Sequence, residues 1–113
     1  MKLLASIVAA ASLLFSAGVS AKDLKSCIDM DHTWGNSCGG SSESIDITLT
    51  NECPQDAYVR LCMEKTSGKW TCRSRSELRP NRDVTFYTCN ATGNTKFAAC
   101  TGGYKECGFP DPK

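Results

Sequence analysis

Apolar and polar residues alternate with a period of two in several short stretches between Ile45 and Cys100. Ile45-Asp46-Ile47-Thr48-Leu49-Thr50 predicts a half-buried strand with Ile45, Ile47 and Leu49 inward. Ala57 to Met63 predicts a second, with Val59, Leu61 and Met63 on one face and Tyr58, Arg60 and Cys62 on the other. After a turn at Thr66-Ser67-Gly68, Lys69 to Arg73 returns along it. Arg73 to Arg82 is polar and reads as a loop around Pro80. Val84 to Cys89 and Thr95 to Cys100, joined by a turn at Asn90 to Asn94, form a last strand pair rich in β-branched and aromatic residues. No long stretch after the first turn-forming residues carries the 3.6-residue period of an amphipathic helix. The expected fold is all-β: a small disulfide-stapled antiparallel sheet or sandwich of about five strands, without a helix longer than two turns. Gly35-Asn36-Ser37-Cys38-Gly39-Gly40 favours flexible chain, so residues 22–44 read as an irregular arm pinned by Cys27 and Cys38, and residues 45–113 as the β domain.

The Cys62 and Cys72 pair poses a conflict of register. If the two cysteines sit opposite each other and bond, Val59, Leu61 and Met63 share a face with Arg73 and Arg75. If Leu61 sits opposite Cys72, the apolar residues share one face and the cysteines point apart. A one-residue slip exchanges the faces. Burial of a whole apolar face outweighs one bridge, so the second register is the expectation.

The first residues change the picture of where this domain works. Met1-Lys2 precedes an uncharged apolar run through Phe15, followed by Ala17-Gly18-Val19-Ser20-Ala21. A basic start, a short apolar core and a small-x-small end describe a secretory signal peptide over residues 1–21, cleaved after Ala21. The remaining 92 residues hold all eight cysteines: Cys27, Cys38, Cys53, Cys62, Cys72, Cys89, Cys100 and Cys107. An even number in a short exported chain predicts a disulfide framework, and an oxidising compartment, periplasmic or extracellular. Eight cysteines allow about 105 pairings, among which sequence does not choose. Zinc is disfavoured by the absence of close cysteine pairs and by a lone histidine, His32; no metal or cofactor is called for.

Asn51-x-Cys53, Val59-x-x-Cys62-x-Glu64, Gly68-x-Trp70-x-Cys72, Leu78-x-Pro80 and Tyr87-x-Cys89 together resemble a pattern of small secreted cysteine-rich bacterial proteins, over about half of the exported chain. The resemblance implies a secreted β fold. The Asn-x-Cys opening is also distantly similar to the first strands of thaumatin-like β-sandwiches, whose acidic cleft residues have no counterpart here.

Charge is balanced overall but divided along the chain. Residues 22–56 carry two lysines against seven carboxylates, and residues 57–85 carry seven lysines and arginines against three carboxylates. Such asymmetry marks either a polyanion-binding face or two halves that pair with each other. Strand alternation places Lys69, Arg73 and Arg75 on one face; with Arg60 and Lys65 they are the candidate binding residues for an anionic polymer. Nucleic acid fits less well, because few exposed aromatics interleave with the cations. A second candidate is the loop framed by Cys100 and Cys107, which would hold Tyr104 and Lys105 on a rigid tip suited to an inhibitor or toxin. Asp29, Asp31 and His32 are the only acid–base cluster, but they lie in the stretch read as irregular and lack partners; neither a serine elbow nor a free thiol completes a catalytic set. The expected function is non-enzymatic binding of a protein or an anionic polymer at the cell envelope or outside the cell.

Overall fold

β2 (Ile45–Asn51) keeps the alternation of its sequence: Ile45, Ile47, Leu49 and Asn51 are buried, and the residues between them are half-buried. It is the central strand of one antiparallel sheet in the computed structural model, which describes residues 21–109. Its neighbours are β1 (Ile28–Trp34) and β5 (Asp83–Thr88), in the order β1-β2-β5. The second antiparallel sheet has β3 (Ala57–Lys65) at its centre, between β4 (Trp70–Leu78) and β6 (Ala91–Cys100). Ile45, Ile47 and Leu49 of the first sheet and Val59, Leu61 and Met63 of the second form one apolar cluster between the sheets. The all-β, disulfide-stapled fold is therefore a sandwich. The expected export signal lies outside the described residues except for Ala21, as does the tail after Phe109. Among the described residues no helix is long and apolar enough to cross a membrane. α1 (Tyr104–Cys107) is a single turn.

Four sequence expectations are corrected. The arm over residues 22–44 is not irregular throughout: β1 pairs along its whole length with β2, from Ile28 opposite Asn51 to Trp34 opposite Ile45. The strand count among the described residues is accordingly six. The polar stretch after Arg73 is not loop, since β4 continues to Leu78. The last two strands do not form a hairpin either; β5 pairs with β2 and β6 with β3, so the chain crosses between sheets at Cys89-Asn90. That crossing is tied down by the Cys38–Cys89 bridge and by the Ala91 amide, which donates to the Glu43 carbonyl at 2.8 Å.

The fourth correction concerns register. Cys62 sits opposite Cys72, with Cα atoms 4.0 Å apart, and the two are bonded. The Lys65 amide donates to the Lys69 carbonyl at 2.8 Å, which makes the odd-numbered pairs hydrogen-bonded and the cysteine pair a close, non-hydrogen-bonded one. Val59 and Leu61 consequently share a face with Arg75 and Arg73. The conflict is resolved because β4 is an edge strand: its arginines lie at the open flank of the sandwich and are exposed, while Val59, Leu61 and Met63 of the central strand β3 are buried. A bulge then restores the apolar face. Between Val59 opposite Arg75 and Ala57 opposite Leu78, β4 spends one extra residue, with Glu77 at φ 54°. The extra residue turns Leu78 back into the core, where it is 1 % exposed.

The strand ends are joined through Asn51. Its side chain is fully buried and makes three hydrogen bonds: Nδ2 donates to the carbonyls of Gln55 and Leu78, both at 2.8 Å, and Oδ1 accepts from the Cys53 amide at 2.8 Å. Its backbone also bonds Asn81 and Arg82 at the β4–β5 turn. One residue thus fastens both loops at this end of the sandwich, and sets Cys53 for its bridge to Cys27. Leu24 closes the same core from the N-terminal side: its amide donates to Ala99 at 2.9 Å beside β6 before the chain crosses to β1.

Asn51→Ala strands the Cys53 amide and two carbonyls away from water, and its expected cost is about 2–5 kcal/mol in denaturant unfolding of the oxidised protein. A loss no larger than that of the exposed control Ser76→Ala would contradict this role. At the bulge, Glu77→Gly removes a side chain from a left-handed position and is expected to stabilise by about 0.5–1 kcal/mol in the same assay.

Candidate functional site

The open flank between β4 and β5 is a groove of about 420 Å³. One wall is Lys65, Thr71 and Arg73; the other is the edge of β5 from Thr85 through Phe86, Tyr87 and Thr88 to Cys89. Two features of the chain make it. Strand alternation in β4 points Thr71, Arg73 and Arg75 to the inner side of the sheet. Edge position then leaves this side uncovered, so the arginines are exposed rather than buried. No carboxylate is among the lining residues, and Tyr87 is 56 % exposed. The Arg73 guanidinium donates to the Cys72 carbonyl at 3.4 Å, which holds it along the strand. The wall can therefore present two cations beside an aromatic ring and the unpaired backbone of an edge strand.

The predicted binding residues divide between two places. Lys65 and Arg73 meet in the groove; Arg75 stands on the same side of β4 by alternation, and Lys69 lies at the turn before β4, where its carbonyl accepts from the Lys65 amide. Arg60 does not join them. It lies on the opposite face of β3, where its guanidinium stands 5.8 Å from the centre of the Tyr104 ring. Tyr104 is 58 % exposed and packs edge-on against the buried Tyr58, with centroids 6.5 Å apart. Phe109 lies against the other part of Tyr58 at 5.8 Å. The bond between Cys100 and Cys107 closes this segment, and the Glu106 carboxylate accepts from the Gly103 amide at 2.7 Å. Tyr104 and Lys105 are thus on a stapled helical turn resting on the outer face of the second sheet, with Lys105 exposed.

The acid–base candidates do not converge. They stand on β1, where alternation sends Asp29 and Asp31 to one face and His32 to the other. His32 instead borders a small hollow of about 180 Å³ at the opposite flank, with Met30, Trp34, Ile45, Ile47, Gly93 and Thr95. Among the described residues no group of three His, Cys, Asp or Glu side chains is placed to hold a metal ion.

The β5 wall of the groove was not visible as a site in the sequence. Tyr87 is the residue that alternation alone would have flagged, as an aromatic on the solvent side of a predicted strand. No protein-family model, curated protein or solved structure matches this chain.

Replacing Cys100 and Cys107 together by serine opens a loop with a sequence separation of 7 residues. The expected loss is about 2–3 kcal/mol. Near-ultraviolet circular dichroism should lose the tyrosine signal of the Tyr58–Tyr104 contact, while the far-ultraviolet spectrum keeps its β signature. An unchanged near-ultraviolet spectrum would show that the bridge does not set the ring.

Proposed function

We propose that this chain is an exported, non-enzymatic binding protein, and that its ligand is an anionic polymer lying along the β4–β5 groove. The observation that carries the reading is the convergence of Lys65 and Arg73 on one groove wall free of carboxylates, with Arg75 on the same side of β4 and Lys69 at the turn before it. A row of cations spaced by strand geometry matches a repeating anion better than a single small ligand, because each added contact releases a counterion. Tyr87 on the opposite wall supplies an apolar surface for the sugar or backbone between anionic groups. Export is supported by the leader-like first residues and by four disulfides, which form and persist in oxidising compartments. A binding role without turnover is supported by the separation of Asp29 and Asp31 from His32 across a strand, and by the absence of free cysteines.

The test is retention of the oxidised protein on immobilised dextran sulfate and polyphosphate across a salt series. The unmodified protein is expected to bind at low salt and to elute as screening rises. Lys65→Glu combined with Arg73→Glu should weaken binding by at least about tenfold and flatten the salt dependence. Tyr104→Ala combined with Lys105→Ala should leave retention unchanged. Equal retention of the groove variant would overturn the reading, and retention lost only in the Tyr104 variant would move the site to the stapled turn.

A further inference from the structure

Each three-stranded sheet has two edge strands, β1 and β5 in the first and β4 and β6 in the second; β1 and β4 are the two that carry a pair of like charges on one face, Asp29 with Asp31 and Arg73 with Arg75. Exposed edges of this kind are templates for further pairing. The backbone hydrogen bonds fix which residues point outward. On β1 the pairs Gly35–Ser44 and Cys27–Glu52 are hydrogen-bonded, so the odd-numbered amides face β2 and those of Met30, His32 and Trp34 face the free edge. On β4 the Lys65–Lys69 bond does the same, and Trp70, Cys72 and Ser74 face the free edge.

Both edges are covered for now by a side chain of the opposite charge. Asp31 accepts from the outward amide of His32 at 2.8 Å. Arg73 donates to the carbonyl of Cys72 at 3.4 Å, on the outward side of β4. We propose that β1 of one copy pairs antiparallel with β4 of a second copy, with His32 opposite Cys72, so that copies join head to tail. In this register Asp31 stands opposite Arg73 and Asp29 opposite Arg75. The backbone bond between His32 and Cys72 replaces both coverings and frees the two side chains to pair with each other. The other face brings Trp34, which is 43 % exposed, opposite Trp70, and Met30, which is 41 % exposed, opposite Ser74.

Three observations favour this partner over others. β1 and β4 are edges of different sheets, so a step from one copy to the next can join β1 to β4 and leave each copy's other edge free to continue. The step matches faces: the acidic side of β1 is the outer side of its sheet, the basic side of β4 is the inner side of its own, and raising one copy by one layer brings them level. Symmetric pairings form neither ion pair: β1 with β1 offers Asp29 and Asp31 only each other or Thr33 on that face, and β4 with β4, in registers centred on Cys72 to Ser74, sets Arg73 and Arg75 against arginine, lysine or threonine. Shifting the register by two residues either leaves one ion pair or places Glu77 opposite Asp29. The acidic first half and basic second half of the chain are thus paired between copies. A head-to-tail contact of this type does not close at a dimer.

This inference does not rest on the polymer-binding reading, although Arg73 serves both. Sedimentation equilibrium and light scattering of the oxidised, exported chain over about two decades of concentration test it. The mean mass should rise past that of a dimer and fall again on adding salt. Asp29→Lys with Asp31→Lys, and separately Arg73→Asp with Arg75→Asp, should each weaken association by at least about a hundredfold while the melting curve stays cooperative. Mixing the two variants in equal amounts restores complementary edges and should restore association. A protein that stays monomeric throughout, a mass that saturates at the dimer, or a mixture no more associated than its parts would each overturn the proposal. Lys65→Glu lies off both edges and should leave association intact, which separates this interface from the groove.

Discussion

Asn51 satisfies two carbonyls and one amide from a position that water does not reach, and so joins the β2–β3 turn to the end of β4. The physical demand is general: a buried amide group must find partners for its donors and its acceptor or be expelled. Here the partners belong to the β2–β3 turn and to the end of β4. The turn cannot therefore move from its place without breaking contact with the second sheet. Cys53 inherits its position from the same network, and the bridge from Cys53 to Cys27 inherits its own from Cys53. The arm that carries β1 is thus anchored, one step removed, by an asparagine.

Parity is the second constraint. A strand with period two has one inner and one outer face, and a sandwich of this size has an inner face only as wide as three strands. β3 and β2 fill the middle of it with Val59, Leu61, Met63, Ile45, Ile47 and Leu49. The outer strands cannot all be apolar inward without leaving sticky flanks. β4 meets this by carrying Thr71, Arg73 and Arg75 inward where the sandwich is open, then changing parity at Glu77 so that Leu78 is buried where it is closed. β6 is irregular at its other end, without a change of parity. Between Met63 opposite Thr95 and Lys65 opposite Ala91 it spends two extra residues around Gly93, and Ala91 returns to the core. Glu64 holds that irregular piece by accepting from Thr92 and Asn94 at 3.0 and 2.8 Å. Gly93 is required there for a second reason, since a Cβ would lie 3.2 Å from the Trp34 ring.

These two bulges decide which flank does what. At the β4–β5 flank the sandwich opens on cations and a tyrosine, and at the β1–β6 flank it opens on methionine, histidine and tryptophan. The edge strands that leave the flanks open also expose backbone, and on β1 and β4 a charged side chain bonds one outward group of the strand. Function and solubility are in this sense one problem for a small sandwich: the edges that a larger fold would bury are here the surfaces available for binding.

The sequence by itself determined the all-β class, the inward faces of β2 and β3, the turn at Gly68 and a wholly cystine framework. Each follows from local chemistry: alternation, turn residues and an even cysteine count. β1 was legible in principle, because Ile28, Met30, His32 and Trp34 alternate with Asp29, Asp31 and Thr33, but its acidic residues and the glycine- and serine-rich chain beside it mask a pattern of which only Ile28 is buried. Sequence could not decide the Cys62–Cys72 register, the partners of β5 and β6, or which cations share a groove. Those depend on which strands are edges. An edge strand tolerates arginine on its inner face and a central strand does not, and that difference exists only once two sheets are stacked.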